Sequence, residues 1–257
     1  MTDIRTLTYE ELEQFLFSIQ EKKFRAKQIW TWLWQRGVGS FEEMTDLSLA
    51  LRSKLQEHFA FARTVIEQEV QSRDKTAKFA LKLHDGLLIE GVLIPSGDRV
   101  TACVSSQVGC PLHCAFCATG TMGFTRNLHY AEIVDEYVLM NARAKELYGN
   151  NITNIVFMGM GEPLLNFANV MTAIGKLTDP KGFGLSPTRI TLSTAGVIKG
   201  IKNLADSNFP CGLAISLHSA DPAVREVLMP VTEHNTLHDL QAGLLYYHQK
   251  TGERIPF

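Results

Sequence analysis

Four of the five cysteines fall in one stretch, Cys103-Val-Ser-Ser-Gln-Val-Gly-Cys110-Pro-Leu-His-Cys114-Ala-Phe-Cys117. Thiolates are soft ligands, suited to iron–sulfur clusters and to zinc. Cys110, Cys114 and Cys117 share one short loop, so they can hold three irons of a [4Fe–4S] cluster and leave the fourth open. An open iron is what a centre needs if it is to bind and activate a ligand rather than only pass electrons. A structural zinc site completed by Cys103 or Cys211 is the competing reading, although zinc knuckles usually pair two C-x2-C-like halves.

Three further polar groups each close an apolar run. They are Gly159-Met160-Gly161-Glu162-Pro163, Ser193-Thr194-Ala195-Gly196 and Ser216-Leu217-His218. Singly, each reads as ordinary strand-end polarity, and a Gly-x-Gly turn often just closes a βα connection. Together, at successive strand ends, they form a constellation.

The elements that must position these residues change character along the chain. Thr8 with Glu11 predicts a capping box, followed by Leu12, Phe15, Leu16 and Ile19 at helical spacing. Further helices are predicted from about Arg25 to Arg36 and Ser48 to His58, giving a helical module over residues 1–62. Alternation around Asp85-Gly86 predicts a β-hairpin with a two-residue turn over 77–95, within an extension spanning 63–99. From residue 100, strands at Val100–Val104, Ile152–Met158, Arg189–Ser193 and Gly212–Leu217 alternate with helices near 131–148, 167–177, 197–206 and 236–250. That repetition predicts an α/β fold with a parallel sheet curled toward a barrel, its ligand site at the C-terminal strand ends. Arg254–Phe257 reads as the start of another strand.

A net charge of −2, with 20% charged and 45% hydrophobic residues, excludes a uniformly basic nucleic-acid coat and leaves a local basic patch open. Met1–Thr6 has no signal-peptide core, and no apolar run approaches the roughly 18 residues of a membrane span. A cytosolic protein with reduced thiols and no membrane partner is expected. Lys22, Lys23, Arg25 and Lys27 lie near Trp30, Trp32 and Trp34. Cations could pair with phosphates and exposed rings stack on bases, or the tryptophans could simply line the module's core. Arg126 and Asn127, just after the cysteine loop, are the residues best placed to touch a substrate.

The C-x3-C-x2-C spacing with Phe116 resembles the signature of the radical S-adenosylmethionine (SAM) superfamily. The segments Phe24–Trp30, Ile89–Pro95, Thr119–Leu128, Phe157–Leu164 and Ile190–Val197 resemble, more narrowly, the RlmN family of dual-specificity adenine-C2 methyltransferases. That family acts on 23S ribosomal RNA and transfer RNA; the adenine-C8 methyltransferase Cfr is close kin. The likeness runs over essentially the whole chain. It implies a partial (βα) radical SAM barrel, a [4Fe–4S] cluster on Cys110, Cys114 and Cys117, and SAM contacts from Gly161, Glu162, Ser193, Ser216, Leu217 and His218. It also implies an RNA-binding role for the helical module, an electron donor such as flavodoxin or ferredoxin, and a monomer.

In the family, one SAM methylates a cysteine. A second yields a 5′-deoxyadenosyl radical that takes hydrogen from that methylcysteine, and the resulting carbon radical adds to the base. Glu90 matches the family's proton acceptor, and Cys103 its second reactive cysteine, which resolves the protein–RNA adduct; either could take the C2 proton. For Glu90 the plain alternative is a solvent-facing strand residue, for Cys103 a small buried hydrophobe. Cys211 matches no family role and reads as structural. The methyl-accepting cysteine, a later SAM-contacting asparagine and the last barrel strands of the family fall beyond Phe257. The resemblance thus implies a barrel incomplete at its C-terminal edge, with turnover by this chain alone in doubt. Two competing readings remain open: Cfr-like C8 methylation, and a non-catalytic RNA-binding paralogue that keeps the cluster.

Overall fold

The computed structural model describes residues 1–207 and 209–257. A short parallel pair, β1 (Thr2–Asp3) with β2 (Phe59–Ala60), ties the chain's first residues to the end of the helical module. Within it, α1 (Tyr9–Ser18) opens on the predicted capping box. The Thr8 hydroxyl accepts from Glu11 N–H at 3.1 Å, and Thr8 N–H donates to Glu11 Oε2 at 2.7 Å. α1, α2 (Phe24–Trp34) and α3 (Leu49–His58) close on Leu12, Leu16, Ile29, Leu33, Leu51 and Leu55, all buried. Burial of these apolar stripes, rather than helix propensity, holds helices this short.

Next come β3 (Val65–Gln71), β4 (Ala77–Lys82), β5 (Leu88–Ser96) and β6 (Arg99–Cys103), joined antiparallel in sequence order. β7 (Gln107–Gly109) and β8 (Phe124–Asn127) pair antiparallel on either side of the cysteine loop and its one-turn helix α4 (Ala118–Thr121). The remainder alternates: α5 (Tyr130–Tyr148), β9 (Asn154–Phe157), α6 (Phe167–Thr178), β10 (Ile190–Thr194), α7 (Ile198–Asp206), β11 (Gly212–Ile215), α8 (Pro222–Leu228) and α9 (Leu237–Thr251). β6, β9, β10 and β11 run parallel, as the βαβ pattern predicts. Seven strands form one sheet, ordered β11-β10-β9-β6-β5-β4-β3.

Several expectations are corrected. The predicted hairpin is part of the larger sheet, β5 pairing onward with β6. Its turn spans His84-Asp85-Gly86, with Leu83 N–H donating to Leu87 O at 2.8 Å, rather than two residues. Gly86, at φ +83°, supplies the left-handed residue that such a three-residue loop needs. β3 has no apolar alternation to betray it: it is a mostly exposed edge strand with a register shift at Ile66/Gln68. β7, β8 and α8 are too short for a periodic signal. Arg254–Phe257 forms no strand, although Ile215 N–H donates to Pro256 O at 3.0 Å along the β11 edge.

The sheet's two faces differ. On β5, Ile89, Gly91 and Leu93 are buried toward α5, so Glu90 and Ile94 point to the open, concave face. Register places Val92 beside Cys103 and Cys103 beside Val156, so Cys103 shares that face. Among the described residues, no helix is long and apolar enough to cross a membrane.

Candidate active site

The cysteine loop is pinned at several points. Cys110 N–H donates to Gly123 O at 2.9 Å, Cys117 N–H to Cys114 O at 3.1 Å, and Ala115 N–H to Leu228 O at the end of α8 at 2.9 Å. His113 takes a left-handed conformation (φ +51°), and its Nδ1 lies 3.2 Å from Gly120 O. The three thiols line a cavity of about 280 Å³ together with Phe116, Gly159, Gly161, Glu162, Ser193, Ser216 and Met229. The loop and strand ends that the sequence singled out thus converge on one space. His218 borders it by stacking on Phe116, ring centroids 3.9 Å apart. Leu217 does not point into it: its side chain lines a separate apolar cleft beside α9.

Burial pushes the Cys110 thiol up to about 11, helped by Glu162 and the neighbouring thiols. Burial likewise raises Cys114, with Cys117 and Glu162 adding to it. Three thiolates cannot coexist there unless positive charge sits among them, so the donor set fits a metal cluster. Cys211 lies buried at the opposite, N-terminal end of β11, so it does not complete a site with these three thiols.

Glu162 is fully enclosed. Its Oε1 accepts from Leu164 N–H at 3.1 Å and its Oε2 from Ala195 N–H at 2.8 Å, and burial raises its carboxyl to about 7. Gly161 makes this geometry possible. Its φ is +98°, and a Cβ there would sit 2.5 Å from Gln107 Cβ. Gln107 completes the support, its Oε1 accepting from Glu162 N–H at 2.9 Å and its Nε2 donating to Asn127 Oδ1 at 2.8 Å. Ser193 and Ser216 stand with their hydroxyls 3.4 Å apart on adjoining strands.

Glu90 and Cys103 are outside the cavity lining but on the same concave face. Glu90 is exposed and pairs with Lys78 Nζ at 2.7 Å. Burial, and secondarily the charge of Glu136, pushes the Cys103 thiol up to about 11. Glu136 lies behind them on α5, completely buried. Its Oε2 accepts from Ser105 N–H at 3.0 Å, whereas Oε1 has no partner. Ser105 in turn donates its hydroxyl to Glu90 O of β5 at 2.7 Å and accepts from Met160 N–H at 2.9 Å, joining β5 to the segments that follow β6 and β9. Neither Ser105 nor Glu136 stood out in the sequence. The run Ser105-Ser106-Gln107 is polar yet buried, which only the fold reveals.

Arg126 and Asn127, read from sequence as substrate contacts, are engaged within the protein. Arg126 bridges Asp85 and Glu132, and Asn127 holds Gln107. Trp32 and Trp34 are buried, and Lys176 Nζ lies 3.9 Å and 4.6 Å from the ring centres of Trp30 and Trp34. The tryptophans therefore serve the module's core and its packing on α6. Lys22, Lys23, Phe24 and Lys27 remain exposed.

Residues 2–61 match the family model described as the ribosomal RNA large subunit methyltransferase N-terminal domain, and residues 104–239 that of the radical SAM superfamily. The fold resembles a crystal structure described as a radical SAM methyltransferase from Sphaerobacter thermophilus. Its TM-score is 0.91 and its sequence identity 38%, covering 99% of this chain and 75% of that one. Fold, cysteine loop and strand-end cavity together define a radical SAM protein. A probable dual-specificity RNA methyltransferase RlmN of Cytophaga hutchinsonii is 49% identical over 254 residues, 99% of this chain and 70% of the relative. A dual-specificity RNA methyltransferase RlmN of Nitratidesulfovibrio vulgaris is 45% identical over 265 residues, 100% of this chain and 72% of the relative. The chain belongs to the RlmN family.

Proposed function

We propose that this chain works as a radical SAM RNA methyltransferase directed at C2 of adenine in 23S ribosomal RNA and transfer RNA. One observation carries the reading: three thiols and the polar ends of successive parallel strands line a single cavity. Cys110, Cys114 and Cys117 would hold a [4Fe–4S] cluster. Glu162 with the Gly161 turn, Ser193, Ser216, His218 and the backbone at Leu217 would receive SAM. Cluster and SAM together supply radical chemistry, which an aromatic carbon as poorly nucleophilic as adenine C2 requires.

The protein's own part is positional. The closely packed Gly161 turn fixes the carboxyl of Glu162. Glu90, exposed and beside Lys78 on the face shared with Cys103, would serve as the proton acceptor. Cys103 stays a thiol near neutral pH until a neighbour accepts its proton. Residues 1–62 form the RNA-binding accessory module in this reading, 63–99 the hairpin extension and 100–257 the radical SAM core. A one-electron donor of the flavodoxin or ferredoxin class supplies reducing equivalents.

Anaerobic reconstitution tests the reading. Iron and sulfide should load onto the wild-type chain, and Cys110→Ala, Cys114→Ala and Cys117→Ala should each abolish the brown chromophore and reductive cleavage of SAM. Uptake of zinc without iron would sink it. Mass mapping of methylated RNA separates C2 from C8.

A further inference from the structure

Arg225 on α8 is fully buried, with no exposed side-chain surface. Its hydrogen bonds all go to neutral oxygens: Nη2 to Ala195 O at 2.6 Å, Nε to Leu217 O at 3.2 Å, and Nη1 to Thr232 Oγ1. Among the described residues no carboxylate ion-pairs with it. Glu162 binds Ala195 from the N–H side and does not reach the guanidinium. A guanidinium cannot shed its proton to escape burial as a lysine can, so a net positive charge is locked inside the fold. Burial of such a charge is unfavourable unless a negative one answers it.

Burial works against the charged guanidinium, and a negative charge on Cys114 is what would offset it. Cys114 packs with Ala195 and Met229 in a small buried cluster next to α8, and the loop is fastened to that helix through Ala115 N–H and Leu228 O. A cubane carrying three thiolates is net anionic, and the potential of such a centre depends on nearby charge, hydrogen bonds and solvent exposure.

We propose that Arg225 is the built-in counter-charge of the iron–sulfur cluster, holding the ends of β10 and β11 while drawing the cluster's reduction potential upward. This rests on Cys110, Cys114 and Cys117 being cluster ligands. Arg225 is a positioning residue in this view: it is one peptide away from the cavity and acts through charge and through the carbonyls of Ala195 and Leu217.

The test uses wild-type, Arg225→Gln and Arg225→Lys proteins reconstituted anaerobically. Iron content is measured first, then the midpoint potential by redox titration followed by electron paramagnetic resonance, without SAM. Arg225→Gln should load a cluster whose reduction equilibrium is about tenfold less favourable, or ~59 mV more negative for one electron. Arg225→Lys should stay near wild type in the loaded protein, because the anionic cluster favours the charged ammonium over the neutral amine. Cluster loading should raise the melting temperature of wild type and Arg225→Lys more than that of Arg225→Gln. If Arg225→Gln takes up no iron while Arg225→Lys loads at the wild-type potential, the charge is again what matters, and the inference stands. Equal potentials in all three proteins would overturn it. So would Lys behaving like Gln in loading or potential, which makes the role geometric. Wild-type protein that binds no iron removes the cluster reading itself, and is distinguished because it fails before any variant is compared.

Discussion

Glu136 is a carboxyl group with one oxygen bonded and the other idle, enclosed behind the strands that carry Glu90 and Cys103. Burial raises its pKa well above 4.5. The native state therefore holds this proton at pH values where the unfolded chain has released it. Stability from this group is full below the unfolded pKa and is lost as pH rises through the folded one. Glu136→Gln keeps an acceptor for Ser105 N–H and cannot ionise. Its stability should fall less than that of wild type between pH 5 and pH 8, measured by chemical denaturation at each pH. Parallel pH profiles would show that the carboxyl is not the buried acid described here. Such a residue was illegible in the sequence. Glu132, Glu136 and Glu146 look alike on one helix, yet only packing makes Glu136 fully enclosed while Glu146 stays in water.

At the level of elements, the turn Gly159–Pro163 couples β9 to the site. Gly161→Ala would force a side chain into φ +98° and against Gln107. A residue held in such a region costs on the order of 1–3 kcal/mol, and the clash must also displace Glu162, which the adjacent peptide positions. The variant should melt lower and bind SAM more weakly, by differential scanning fluorimetry and equilibrium dialysis. Wild-type SAM affinity would show that the turn does not set the site. The longer helices and the parallel strands were legible because each repeats an apolar period long enough to read, such as Leu12 and Leu16 on α1 or Leu213 and Ile215 on β11. β3 was not, because an exposed edge strand has no buried face to pattern. The pairing of β7 with β8 depends on residues 107–109 meeting 124–127 across the cysteine loop, which local sequence does not encode.

Across the whole molecule, the helical module is tied to the sheet domain by a buried charge cluster. Arg5, 4% exposed, pairs with Asp3 at 2.7 Å and with Asp135 of α5, and donates to Ala62 O at 3.0 Å. Asp135→Ala strips one partner from an enclosed guanidinium. The cost should be on the order of 3 kcal/mol, read as a shifted denaturation midpoint, with Asp3 left to hold part of the charge. A shift within a few tenths of that midpoint's error would mean the two parts are joined mainly by their apolar contacts. On the module's outer surface, Lys22, Lys23 and Lys27 surround an exposed Phe24. Reversing Lys22 and Lys23 to Glu should weaken RNA binding and flatten its dependence on salt, because fewer phosphates are neutralised. Unchanged affinity and slope would retire that surface as an RNA contact.

The sequence by itself determined the elements and the chemistry of the ligands. Apolar period distinguishes helix from strand, and the thiol spacing in Cys110–Cys117 is a property of neighbouring residues. Only the tertiary structure decided which groups meet. It engaged Arg126 and Asn127 internally, buried Trp32 and Trp34, turned Leu217 away from the cavity, and set Arg225 and Glu136 behind the site. The physical reason is that burial and pairing depend on contacts between residues far apart in the chain. Those contacts decide whether a charge is solvated, compensated or stranded, and nothing in local composition carries that information.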